Sequence, residues 1–403
     1  MPTRRLSLAL ALGLSAMALA PSGAAFAQDP IKIGEINSYT RLPAFTEPYK
    51  KGWELALEEI NAAGGVDGRP LEVISRDDTG DPATAIRIAE EMIGREGVAF
   101  LFGTFLSNIG LAVSDVAARN ETFFLASEPL TDAIVWESGN KYTYRLRPSN
   151  WMQTGMLAAE AAKLDATKWA TIAPNYAYGT DAVDAFKTQL KALKPDVEFV
   201  EEQWPTLFKI DAGSSVRALE AAKPEAIFNV TFGPDLAKFV REGSLRGLFD
   251  DRTVVSLLSG EPEYLEPLGN ETPDGWIVTG YPGDDVNTPE HDTFETAYRA
   301  KWDEEPKTGS IVGYNSMMAI KTLLETAPSL ETADLLATME GLTVDSPTGP
   351  FTFRPADNQA TMGAYVGKTA LVDGAPSMVE WFYAPGEEFL PSEEEAAKLR
   401  PAE

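Results

Sequence analysis

Ala99-Phe100-Leu101-Phe102 is an apolar run that breaks at Gly103 and leads into Phe105, Leu106, Ser107 and Asn108. The run reads as a buried parallel strand, and Ser107-Asn108 stand where a helix carrying Leu111, Val113 and Val116 would be capped. A strand that feeds a helix N-terminus leaves backbone N–H groups without partners, facing the crevice beyond the sheet. Such a place suits an anion, a carboxylate among them. A capped turn without a ligand would look the same, so one such turn decides nothing. The pattern repeats, however. Asn37-Ser38-Tyr39, Arg41 and Phe45 follow the run Ile31–Ile36, and Ser127, Glu128, Pro129 and Thr131 follow Thr122–Leu125. Later strand ends carry Asn175, Tyr176 and Tyr178, then Thr231 and Phe232, then Ser259, Gly260 and Glu261. Hydroxyls and rings gathered at strand ends, with Glu261 adding an acidic group in the second unit, suit a small molecule that has a carboxylate and an apolar body.

The elements that must position these residues alternate. Strands at Ile31–Ile36, Leu71–Ser75, Ala99–Phe102 and Thr122–Leu125 are separated by helical patterns; Trp53, Ala56, Leu57 and Ile60 mark one buried helix face. Such βα alternation predicts a doubly wound sheet with right-handed crossovers. The rhythm changes at Tyr142–Pro148. A second α/β series follows, with strands at Trp169–Ala173, Val197–Val200, Ile227–Val230, Thr253–Leu257 and Trp276–Tyr281. Helical patterns at Glu290–Lys301 and Tyr314–Thr326 have no strands between them and should return to cover the first unit. Phe351–Phe353, Ala364–Leu371 and Met378–Tyr383 then alternate as antiparallel strands, with a turn at Asp373-Gly374. Asp81-Pro82 reads as a helix cap followed by proline at the first helical position, and Ser392 as the cap of an acidic helix start.

Arg4-Arg5, the apolar stretch Leu6–Ala20 and Ala25-Phe26-Ala27 predict an export signal over residues 1–27, cleaved before Gln28 and releasing the chain into a periplasm. Thr3-Arg4-Arg5 leaves Sec and twin-arginine export both open. There is no cysteine, so disulfides, thiolate metal sites and lipid attachment at the cleavage point are excluded. The net charge of -27 argues against nucleic acid or an anionic membrane as partner. With 403 residues, 44% of them hydrophobic, two cores are expected.

Catalysis finds little support. His291 is the single histidine and stands at a surface-like helix start, Pro289-Glu290-His291-Asp292. Neither an H-E-x-x-H, a P-loop nor a G-x-S-x-G motif occurs. The 61 acidic residues leave paired-carboxylate hydrolase chemistry as a weaker alternative.

Ile60-Asn61-Ala62-Ala63-Gly64-Gly65-Val66-Asp67-Gly68-Arg69-Pro70-Leu71, followed by Asp77-Asp78 and Asp81-Pro82, resembles the leucine/isoleucine/valine-binding family of periplasmic receptors for ABC importers. The likeness extends over the mature chain, including Tyr314-Asn315 and the antiparallel tail. It implies a type I periplasmic binding protein: two doubly wound α/β lobes joined by a three-crossing hinge. The lobes would be residues 28–147 plus 282–349 and residues 148–281 plus 350–403, with crossings near Arg145–Pro148, Gly280–Pro282 and ahead of Phe351. Function by resemblance is capture of a small carboxylate ligand for an inner-membrane ABC permease. The protein would be a monomer, without cofactor, metal or catalysis. A ligand-sensing receptor domain shares this fold, but the export signal and the lack of a membrane-spanning or signalling segment count against it.

The resemblance also implies residue roles. Ser107 would bind the ligand carboxylate, Thr131 carboxylate and amine, and Glu261 an ammonium, while Phe45, Tyr178 and Phe232 would form aromatic walls. Glu128-Pro129-Leu130 departs from the small residues that amino-acid binders carry there, although Pro129 still offers a carbonyl. With Tyr39, Phe105 and Leu106 near the cleft and Arg41 as a second carboxylate contact, two ligand classes stay open. One is a branched-chain or aromatic amino acid; the other is an aromatic or heteroaromatic acid such as benzoate or nicotinate. Glu261 should decide between them, because a buried carboxylate facing no positive or donor group is costly.

Overall fold

The computed structural model describes residues 28–401; the expected export signal over residues 1–27 lies outside them. In the first lobe, Ile31–Asn37 (β1), Leu71–Asp77 (β2), Leu101–Gly103 (β3), Phe124–Ala126 (β4) and Thr143–Arg145 (β5) form a parallel sheet in the order β2-β1-β3-β4-β5. In the second, Lys168–Ile172 (β6), Glu198–Gln203 (β7), Ala226–Asn229 (β8), Thr253–Gly260 (β9) and Ile277–Gly280 (β10) are parallel. Thr343–Val344 (β11) and Phe351–Thr352 (β12) pair separately. Ala364–Val372 (β13) and Ala375–Ala384 (β14) complete the second sheet, in the order β14-β13-β10-β9-β8-β6-β7. The inner strands are covered on both faces, which is why they read as unbroken apolar runs. This is the expected two-lobe α/β fold.

Register places the functional edge. β1 runs beside β3 with Ile36 opposite Gly103, and β3 beside β4 with Gly103 opposite Ala126. The loops carrying Ser38, Ser107 and Glu128 therefore leave the sheet side by side. Gly103 has φ +111, and a Cβ there would lie 2.6 Å from the Ile36 carbonyl oxygen, so only glycine lets β3 end this close to β1.

Three local expectations are corrected. First, Thr143–Arg145 is an edge strand paired with β4, not merely a change of rhythm. Its arginine is fully buried and donates to Gln359 and to the carbonyls of Leu130 and Thr131, so a charged residue stands in a core position. Second, the third crossing lies near Gly363, not ahead of Phe351. Phe353 packs edge-on against Tyr144 at 6.0 Å, and Ala360 N–H donates to the Arg145 carbonyl, which ties residues 351–360 to the first lobe. Third, Ser107 is the first residue of the helix Ser107–Arg119 and makes no capping bond; Leu106 occupies the cap position. Asp81 and Ser392 do cap their helices, accepting from Thr84 N–H and Glu395 N–H.

Candidate functional site

The two lobes meet face to face. Phe45 of the first lobe lies 5.4 Å from Tyr264 and 6.1 Å from Phe232 of the second, ring centre to ring centre. Glu263 of the second lobe accepts from Gly309 N–H at 2.8 Å, at the N-terminus of the first-lobe helix Thr308–Thr326. Between the lobes lies a small cavity. The first lobe and its crossing supply Phe105, Ser107, Glu128, Leu130 and Arg147; the second supplies Tyr176, Tyr178, Phe232, Leu258 and Tyr264. Tyr178 meets Phe232 edge-on at 5.8 Å and Tyr176 at 5.9 Å, and Phe45 backs Phe105 at 5.3 Å. Leu258 reaches the wall from a left-handed backbone (φ +64), a strained position for a non-glycine residue.

The polar groups facing this space are mostly donors. The Tyr178 hydroxyl is buried without a hydrogen-bond partner among the described residues. Ser107 Oγ accepts Thr131 N–H at 3.3 Å, leaving its own proton free to point elsewhere. Arg147 sits on the first crossing, only 6% exposed, and its carbonyl is held by Gln359 Nε2 at 3.1 Å from the third. Its guanidinium donates to Glu261.

Charge is crowded here. Burial pushes the Glu261 carboxyl up to about 8 against the pull of Arg147. Burial likewise lifts Glu128 to about 8, opposed by Arg147 and by Asn37, whose Nδ2 donates to it at 3.4 Å. Burial also raises Glu263, against the N–H of Gly309. Burial alone would lower Arg147, but the carboxylates of Glu261 and Glu128 reverse that and hold it firmly cationic.

Of the residues expected at the site, Ser107, Phe105, Tyr178 and Phe232 line the cavity, and Phe45 stands directly behind its rings. The others are elsewhere. Glu261 accepts from Arg147 and lines a neighbouring cavity instead of this one. The Thr131 hydroxyl donates to Asp181 of the second lobe, and Asp132 N–H donates to the same oxygen at 3.0 Å. That contact joins the lobes and takes Thr131 out of the cavity. Pro129 packs its ring on Gly110, and Leu106 is core. Tyr39 is turned into the first lobe, where Trp53 Nε1 donates to its hydroxyl at 3.5 Å. Arg41 is exposed at the rim, 4.9 Å from the ring centre of Phe208 across the cleft. The cavity is also lined by Arg147, Leu258 and Tyr264, which the sequence did not single out, and by Glu128, Leu130 and Tyr176, which it named beside the strand ends without giving them a ligand contact.

A second, largely apolar cavity lies behind the Arg147–Glu261 pair, lined by all three crossings through Pro148, Gly280 and Gly363. Its strand-end residues, Glu261, Gly280 and Tyr281, all come from the second lobe. His291 is buried rather than superficial, and its Nε2 pairs with the Tyr281 hydroxyl at 2.6 Å, a packing role.

The family model described as periplasmic binding protein matches residues 30–375. A Leu/Ile/Val-binding protein homolog 7 of Brucella suis is 28% identical over 349 residues, covering 82% of this chain and 85% of its own. Among solved structures, a solute-binding protein of an ABC transporter from Rhodopseudomonas palustris BisB5, in complex with 3,4-dihydroxybenzoic acid, superposes with TM-score 0.80. It is 23% identical and covers 89% of this chain and 98% of that one. The leucine-, isoleucine-, valine-, threonine- and alanine-binding protein of Brucella ovis, in a closed conformation, gives TM-score 0.77 at 19% identity, covering 90% and 97%.

Proposed function

This chain belongs to the periplasmic binding protein family, and from that premise we propose that it is the receptor of an ABC importer for a small aromatic carboxylate. One observation carries the choice of ligand. The cavity is walled by rings from both lobes and its one lining cation is Arg147, while Glu261, the group expected to hold an ammonium, lies outside it and is already paired. A flat ring placed among Phe105, Tyr178, Phe232 and Tyr264 gains about 0.5–1.5 kcal/mol per favourable aromatic pair beyond area burial. Its carboxylate meets Arg147, the Ser107 hydroxyl and the N–H groups of Ser107 and Asn108 at the start of their helix. Aromatic acids in Rhodopseudomonas receptors of the same fold support this class.

Ligand contacts with both lobes favour the closed form, and a permease would read that form. Export with cleavage after Ala27 completes the proposal. An amino acid is the second reading, because Glu128 faces the cavity and could accept an ammonium, and because the Brucella suis relative is a Leu/Ile/Val-binding homologue.

Thermal unfolding with added ligands separates the two. Benzoate and 4-hydroxybenzoate are expected to raise the melting temperature, a ligand at a hundred times its Kd adding about 2.7 kcal/mol. Leucine and phenylalanine should leave it unmoved. A shift with amino acids alone would overturn the aromatic-acid reading.

A further inference from the structure

We propose that the receptor takes up its carboxylate ligand together with one proton, and that Glu128 holds that proton in the closed form. The inference rests on the aromatic-carboxylate reading and adds to it the protonation state of the site. In the closed cleft one guanidinium, Arg147, serves three carboxyl groups, Glu128, Glu261 and Glu263. All three side chains are at most 5% exposed. An anionic ligand would add a fourth negative charge to a space with little water, and unpaired buried charge is expensive. The number of charges must fall, and protonation is the available route.

The hydrogen bonds say which carboxyl yields. Glu261 accepts from Arg147, and Glu263 accepts from the N–H groups of Gly309 and Thr308 at 2.8 and 3.3 Å. Glu128 has only the 3.4 Å contact with Asn37 Nδ2 among the described residues. From the remaining elements around it, Tyr49, Tyr176, Tyr178 and Tyr264 present neutral phenols, and none supplies a second cation. Burial raises Glu128 accordingly. When the cleft is open, water solvates the carboxylate and it is ionised at neutral pH. On closure it takes H⁺ from solvent, so that receptor, ligand anion and proton give one complex. The carboxyl O–H then becomes a donor to the ligand carboxylate, and no covalent bond of the ligand changes.

Calorimetric titration of the mature protein with benzoate tests this. At pH 7.5, in buffers of different ionisation enthalpy, the observed heats should report uptake of close to one proton per ligand. Affinity should fall close to tenfold per pH unit across the range in which the proton is taken up, above the ordinary carboxyl value of 4.5 and up to about 8, and level off beyond it. In Glu128→Gln the amide stands in for the protonated acid, so proton uptake and the pH slope should both vanish, whatever the absolute affinity. Benzoate binding without proton uptake, at an affinity flat to pH 9.5, would overturn the proposal and leave the ligand class standing. A slope retained in Glu128→Gln would overturn it as well, by placing the proton elsewhere. Failure of any aromatic acid to bind at any pH would overturn the ligand reading along with it.

Discussion

Arg147→Met is expected to weaken aromatic-acid binding by a factor of roughly 30 to several thousand, as loss of a buried charged contact costs about 2–5 kcal/mol. It should also destabilise the fold by about 3–5 kcal/mol, because Glu261 loses the guanidinium that compensates it. The two effects come apart in a second variant. Arg147→Met combined with Glu261→Gln removes both charges, so stability measured by urea unfolding should recover while affinity measured by calorimetry should not. Recovery of affinity in the double variant would mean that Arg147 acts on the fold and not on the ligand. In Thr131→Val, by contrast, the lost bond is the one to Asp181, and any weakening there reflects easier opening of the lobes.

Stability is expected to fall as pH rises from about 5 to about 8. Glu35, on the inner strand β1, is fully buried, and its Oε1 has no hydrogen-bond partner among the described residues. Burial raises its carboxyl from 4.5 to about 8, against a bond from Ser75 Oγ at 2.6 Å. The sign follows from linkage. Below the unfolded value of 4.5 both states carry the proton and the stability is fully present; as pH rises through the folded value of about 8 it is lost. Each pH unit inside that window costs about 1.4 kcal/mol per group, and Glu128 and Glu261 slope the same way. Glu35→Gln should be more stable than the parent at pH 8 and show a shallower decline. Urea midpoints that stay level or rise between pH 5 and 8 would contradict this account of the buried carboxyls.

The fold and half of the site were legible because topology fixes them locally. An apolar run of four to six residues ending at a glycine or polar residue announces a buried strand, and the next few residues must face the crevice. Phe105, Ser107, Tyr178 and Phe232 stand at such strand ends, and the resemblance gave Ser107, Tyr178 and Phe232 their expected roles; all four line the cavity. Arg147 was not legible in this way, since it stands on a crossing between lobes. Its orientation depends on Gln359, which is 212 residues away in the chain. Nothing local to Ser259-Gly260-Glu261 reveals the arginine that reaches Glu261 from the first crossing, and nothing local to Thr131 reveals Asp181, which reaches it from across the cleft. Arg145 hid an edge strand: three residues, Thr-Tyr-Arg, give no periodicity, and an arginine in a core position argues for a loop until its acceptors are known. Contacts within one strand–loop–helix unit could be read from the sequence; contacts that exist only once two units close on each other could not.

The most direct test of the central claim, that an aromatic acid is trapped between the lobes with its carboxylate on Arg147, is a crystal structure of the mature protein with 4-hydroxybenzoate. The expected result is a closed receptor with the ring among Phe105, Tyr178, Phe232 and Tyr264 and the carboxylate within hydrogen-bond distance of Arg147 and Ser107. A ligand seated in the hinge cavity behind the Arg147–Glu261 pair, or a carboxylate held by Thr131 with Arg147 untouched, would contradict it.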